Sequence, residues 1–202
     1  MMNLDLRLYA LLDPAVAGGR ALTDLAARIA AHATLVQLRD KHGSTRTLVE
    51  EARALSAVLE PADIPLLIND RVDVALAAQA DGVHIGQDDI APQDARLLLG
   101  RTAIVGLSLK TVEQAQAAPL ELLDYVAVGG IYATTSKDNT SMPIGLDGLR
   151  RVVAAVHARR PGFPVCAIAG INAGNAADVI DAGADGVHIG QDDIAPQDAR
   201  LL

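Results

Sequence analysis

Three lysines, Lys41, Lys110 and Lys137, make up the whole lysine complement of a 202-residue chain with 17 Lys plus Arg. Each stands at or just beyond the end of an apolar run. Lysine is a compact point charge on a flexible stem, suited to a phosphate or a developing anion. Gln37, Arg39 and Lys41 alternate, so in an extended segment they share one face. Asp70, Asp88 and Asp89 close two further apolar runs and offer the hard oxygen ligands that Mg2+ takes together with substrate phosphate. Cations beside such carboxylates describe a diphosphate site with a metal.

Each residue also has a structural reading. Asp70 serves equally as the N-cap of a following helix, and Asp88 and Asp89 as turn residues before Pro92. Arg39 with Asp40 reads as an exposed ion pair, and Lys110 as a solvated side chain. His84, alone inside an apolar run, suits a packed, hydrogen-bonded role better than a ligand, and Cys166 suits a small buried hydrophobe. His32, His42 and His157 carry no signal. What points to a site is that the informative residues fall together.

What brings them together is a repeated alternation. Eight runs, apolar throughout or nearly so, span 6–13, 34–40, 65–70, 82–87, 104–109, 125–132, 164–171 and 186–191. Such runs, bounded by turn residues, suit strands buried on both faces, as in a parallel sheet. Segments of helical spacing lie at 22–32, 44–59, 72–79, 92–98, 112–117, 146–159, 174–182 and 196–202. Eight βα units at about 25 residues each predict a single-domain (β/α)8 TIM barrel over residues 1–202. An open doubly wound sheet is the competitor, but no Gly-x-Gly-x-x-Gly follows the first run. In a barrel, the strand ends and the loops after them gather at one mouth.

Composition excludes several function classes. The net charge is -8 and half the residues are apolar, so nucleic acid is not an expected partner. No apolar run approaches the roughly 18 residues of a membrane helix. One cysteine rules out an internal disulfide, and the first residues lack a signal-peptide pattern, which together predict a cytoplasmic protein. Homo-oligomerisation is left open.

One feature stands apart. Residues 80–98 recur without change as residues 184–202. Old repeats diverge, so this identity marks a recent event or an artefact. The copy begins at Ala-Asp-Gly-Val, which suits a helix-to-strand turn in either place, so residues 184–202 are expected to form the last βα unit.

In combination, Gln37-x-Arg39-x-Lys41, Asn69-Asp70, His84-x-Gly86-Gln87-x-Asp89, Gly106-x-Ser108, Thr134-x-Ser136-Lys137 and Ala169-Gly170-Ile171 resemble the thiamine-phosphate synthase family over residues 6 to 186. The resemblance implies a Mg2+-dependent barrel enzyme that joins a hydroxymethylpyrimidine diphosphate to a thiazole phosphate and releases pyrophosphate through a pyrimidine cation. It further implies that Asp70 and Asp89 are metal ligands. Gln37, Arg39, Lys41, Asn69, Ser108 and Lys137 would contact the pyrimidine diphosphate and pyrophosphate, with Arg39, Lys41, Ser108 and Lys137 stabilising the departing charge. Thr134, Ser136 and Gly170 would hold the thiazole phosphate.

The chain departs from the family pattern at Gly130 and Ala133, where many members carry proline, and more seriously after Val187. There His188, Gln191, Asp192 and Asp193 replace small residues and a serine near the expected phosphate. The fold should persist, but like charge should weaken thiazole phosphate binding by about 2 to 3 kcal/mol at about 6 Å. Rival readings are a thiazole tautomerase-like enzyme, a Schiff-base aldolase using Lys137 or Lys110, and a non-catalytic phosphate-ligand-binding barrel.

Overall fold

The computed structural model describes residues 4–134 and 142–190. Each apolar run becomes a strand: β1 Leu8–Leu12, β2 Leu35–Leu38, β3 Leu66–Asn69, β4 Gly82–Ile85, β5 Ile104–Leu109, β6 Tyr125–Val128, β7 Val165–Ile168 and β8 Gly186–Gly190. All neighbours pair in parallel, and β8 pairs with β1 to close the barrel in the order β1 to β8. The crossovers are α1 Leu22–Ile29, α2 Thr45–Leu59, α3 Val72–Ala78, α4 Pro92–Leu99, α5 Val112–Ala117, α6 Gly145–Arg159 and α7 Ala176–Asp181. The helix expected over 196–202 lies outside the described residues. Among the described residues, no helix is long and apolar enough to cross a membrane.

Local chemistry sets the helix starts. Ser44 caps α2 by accepting from the Thr47 amide at 3.2 Å, and Thr111 with Gln114 forms a reciprocal capping box at α5. Pro92 opens α4, where its missing N–H costs nothing. Outward strand residues such as Val36, Val83, Val126 and Val187 are buried beneath the helices, each contributing on the order of 1.5 to 3 kcal/mol. Inward residues Tyr9, Leu35, Leu67, Ile104, Tyr125 and Cys166 fill the barrel.

Register is fixed at the N-terminal rim by three aspartates. Asp81, Asp124 and Asp185 each precede an even-numbered strand, and each carboxylate accepts from the first or second amide of the preceding odd one: Leu66, Val105 and Val165, all at 2.8 Å. The glycine after Asp81 and after Asp185 is sterically required: a Cβ on Gly82 would meet the Ile104 carbonyl oxygen at 1.9 Å, and one on Gly186 the Leu6 carbonyl oxygen at 1.7 Å. The copied block therefore carries its own register device. Both copies feed even strands, so the same residues point inward in each.

β6 and β7 end more than two residues short of the apolar runs that predict them. β6 stops at Val128 because Gly130 (φ +75°) turns the chain out of the pleat, and β7 stops at Ile168 because Ala169 (φ +94°) and Gly170 (φ +65°) do the same. The two released segments then pair with each other, Ile131 N–H to Ile168 O and Tyr132 N–H to Ala169 O at 3.3 and 3.0 Å.

Candidate active site

The C-terminal mouth gathers the ends of β2 to β7 with their loops. From β2, Gln37 points inward and is buried, while Arg39 follows half-buried and is paired with Asp13. Asp13 also accepts from the Ala15 amide at 2.9 Å, so the arginine is anchored to a carboxylate that the β1 loop itself holds. The exposed Arg39–Asp40 pair is thus not formed. Asp40 instead accepts from the amides of His42 and Gly43 at 2.8 and 2.9 Å, shaping the loop that presents Lys41.

Lys41 is ion-paired with Asp70. Asp70 follows Asn69 at the end of β3 and has a left-handed backbone (φ +59°), with its amide bonded to the His84 carbonyl at 2.8 Å. It does not cap α3, whose N-cap is Arg71 without a side-chain bond. Asp89 folds back to accept from the Gly86 amide at 2.7 Å, whereas Asp88 is an exposed turn residue. Burial, and then the neighbouring Asp70 carboxyl, raise the Asp89 carboxyl above the ordinary carboxylate range. A carboxyl whose proton affinity is raised by partial burial and by a neighbouring carboxyl, as that of Asp89 is, suits a proton or a cation beside it. No cluster of three or more His, Cys, Asp or Glu side chains occurs among the described residues; a two-carboxylate set matches Mg2+, which draws its remaining ligands from water and substrate phosphate.

From β5, Ser108 faces inward, its carbonyl bonded by the Gln87 side chain at 2.7 Å. Lys110 is half-buried, not solvated: its Cε lies 3.1 Å from where a Cβ of Gly130 would stand. At the paired β6 and β7 loops, Thr134 is half-buried and Gly170 leaves no room for a side chain, since a Cβ would meet the Ala133 carbonyl oxygen at 2.5 Å. Ser136 and Lys137 lie outside the described residues.

Below the mouth runs a chain of polar side chains. Gln37 Nε2 donates to Tyr9 Oη; Tyr9 Oη and Tyr125 Oη are 3.0 Å apart; Tyr125 Oη and His84 Nδ1 are 2.8 Å apart; His84 Nε2 and Ser108 Oγ are 2.8 Å apart. Gly106 makes space for the Tyr125 ring, which a Cβ would approach to 2.1 Å. His84 is the packed, hydrogen-bonded histidine expected. Cys166 is fully buried with its thiol pushed far above the ordinary range by desolvation, so it is inert. The sequence did not single out Tyr9 and Tyr125. Strands apolar on both faces hide the period-two signal that would have turned them inward.

His188 does not line the mouth. It is 3% exposed and lies on Tyr9 inside the barrel, while the next inward residue toward the mouth is Gly190. The expected place of His188 beside the phosphate is therefore not where the side chain lies. Gln191, Asp192 and Asp193 lie outside the described residues.

Residues 8–187 match the family model described as thiamine monophosphate synthase. The chain belongs to that family. It is 45% identical over 190 residues to thiamine-phosphate synthase of Agrobacterium fabrum, covering 94% of this chain and 86% of the relative. It is 46% identical over 187 residues to the Chloroflexus aurantiacus enzyme of the same name, covering 92% and 84%. Among solved structures, thiamine phosphate pyrophosphorylase from Pyrococcus furiosus superposes with a TM-score of 0.80 at 29% identity, covering 98% of this chain and 92% of that one. Family membership and the closed eight-stranded barrel agree with the fold and family that the motifs imply.

Proposed function

We propose that this chain is a thiamine-phosphate synthase. It joins the aminopyrimidine diphosphate to thiazole phosphate and releases pyrophosphate. The observation that carries the reading is the Lys41–Asp70–Asp89 constellation beside inward Ser108 and Gln37, at the mouth of a barrel whose relatives bear that name. A tautomerase does not use a diphosphate substrate and has no need of the Lys41, Asp70 and Asp89 set, and a Schiff-base aldolase would leave Asp70 and Asp89 without a purpose.

In the reaction, the bond between the pyrimidine methylene and the diphosphate oxygen breaks, and the electron pair leaves with pyrophosphate. The thiazole nitrogen lone pair then closes the new C–N bond on the resulting cation. No protein nucleophile is required. Lys41, Arg39, Lys137 and the Ser108 hydroxyl stabilise the charge developing on the leaving group, an electrostatic contribution that grows toward the transition state. Asn69 and Gln37 hold the pyrimidine diphosphate, and Thr134, Ser136 and Gly170 hold the thiazole phosphate, so that the two rings meet in line. Asp70 and Asp89 would hold Mg2+, which when bound would supply further charge neutralisation of the pyrophosphate. A small-molecule enzyme of this kind belongs in the cytoplasm.

The test is product identification. Incubating the chain with both substrates and Mg2+ should yield a species with the mass of thiamine phosphate. Unchanged substrates, or an isomerised thiazole alone, would reject the reading.

A further inference from the structure

The side chains that cross the barrel beneath the mouth form a directional chain, and its direction has a consequence for substrate choice. Both tyrosines are fully buried, and desolvation pushes both hydroxyls far above their ordinary range. Each therefore keeps one proton and can donate one hydrogen bond only. A neutral imidazole likewise has one donor nitrogen and one acceptor nitrogen. With a single proton per link, four orderings make every contact, but two of them leave one buried tyrosine hydroxyl as a double acceptor with its own proton unspent, a costly unsatisfied donor; two orderings spend every proton. In the first, Gln37 Nε2–H donates to Tyr9, Tyr9 to Tyr125, Tyr125 to His84 Nδ1, and His84 Nε2–H to Ser108 Oγ. In the second, every link is reversed and the Gln37 amide is turned over.

The two orderings present opposite faces to substrate. In the first, Ser108 accepts from His84, so its own proton is free to point to the mouth, and Gln37 offers its carbonyl oxygen there. In the second, Ser108 spends its proton on His84 and shows an anion only lone pairs, while Gln37 offers N–H groups. A diphosphate oxygen beside Ser108 favours the first ordering strongly, because a charge-assisted O–H donor replaces a repulsive contact. We propose that His84, Tyr125 and Tyr9 are positioning residues that transmit this choice to Gln37, so that a bound diphosphate sets the amide to accept from a ring amine. The proposal rests on the reading of the site as a pyrimidine diphosphate site. It makes amine recognition depend on diphosphate occupancy four hydrogen bonds away.

The ordering is readable in the His84 ring. In the uniformly 15N-labelled chain, with through-bond assignment, inorganic pyrophosphate and Mg2+ should leave His84 as the Nε2–H tautomer, its Nδ1 resonating as the unprotonated nitrogen. Pyrophosphate bound with the Nδ1–H tautomer overturns the proposal alone. Failure of pyrophosphate to bind overturns the site reading and the proposal with it. Kinetics supply the second measurement. The parent should prefer the aminopyrimidine diphosphate over its analogue with hydrogen in place of the amine by at least tenfold in KM, a comparison of binding that leaves out the amine's own stabilisation of the cation. Tyr125→Phe, which deletes only the central hydroxyl, should cut that preference below threefold. A Tyr125→Phe enzyme that keeps the full preference would overturn the coupling, since a purely structural role would shift both substrates' KM together.

Discussion

The His188 imidazole lies flat on the Tyr9 ring, centroids 4.0 Å apart and planes 7° apart, inside the barrel where β8 meets β1. The copied segment thus adds an aromatic layer to the core next to the tyrosine that bonds Gln37. Stacked pairs of this kind contribute roughly 0.5 to 1.5 kcal/mol beyond their buried area. His188→Ala should therefore lower unfolding stability by about 2 to 4 kcal/mol through the lost ring and the cavity it leaves. A denaturant midpoint that falls at constant slope would show this; an unchanged midpoint would mean the stack contributes nothing.

Asp70 and Asp89 should be tested as asparagines. Asp70 has a left-handed backbone, which asparagine tolerates and alanine resists, so Asp70→Asn isolates the charge. Asp70→Asn and Asp89→Asn should each reduce Mg2+-dependent turnover at least a hundredfold while shifting the melting temperature by only a few degrees. Turnover within tenfold of the parent at limiting Mg2+ in both variants would remove the metal assignment.

Gly170 has a positive φ and no space for a methyl group beside Ala133. Gly170→Ala should push the β6 and β7 loops apart and raise the thiazole phosphate KM at least tenfold, with the pyrimidine diphosphate KM within threefold. Equal effects on both constants would place Gly170 outside the thiazole half of the site.

With His188 turned into the core, any electrostatic penalty from the copied tail falls to Asp192 and Asp193. The double change Asp192→Asn and Asp193→Asn should lower the thiazole phosphate KM by tenfold or more. No change would make the tail neutral to binding.

The strands were legible because each is a short apolar run between turn residues, and Asp-Gly at 81–82 and 185–186 marked where two of them begin. Their ends were less legible. That Ala169 adopts φ +94° is imposed by the pairing of the β6 and β7 loops, and nothing in the residue type announces it. Lys41, Asp70 and Asp89 could be grouped from the sequence since a barrel delivers successive strand ends to one mouth. The pairing of Arg39 with Asp13, 26 residues apart, could not, because Asp40 offered an equal partner next door. Tyr9 and Tyr125 stayed hidden for want of alternation, and the inward turn of His188 followed only once the register of β8 against β1 was fixed.

The most direct test of the central claim is the initial rate of pyrophosphate release measured with each component omitted in turn. Release should need the pyrimidine diphosphate and Mg2+, and in their presence with thiazole phosphate it should match thiamine phosphate formation one for one. Pyrophosphate formed without any coupled product, or no release from the complete mixture, would contradict the assignment of this barrel mouth as the place where the two rings are joined.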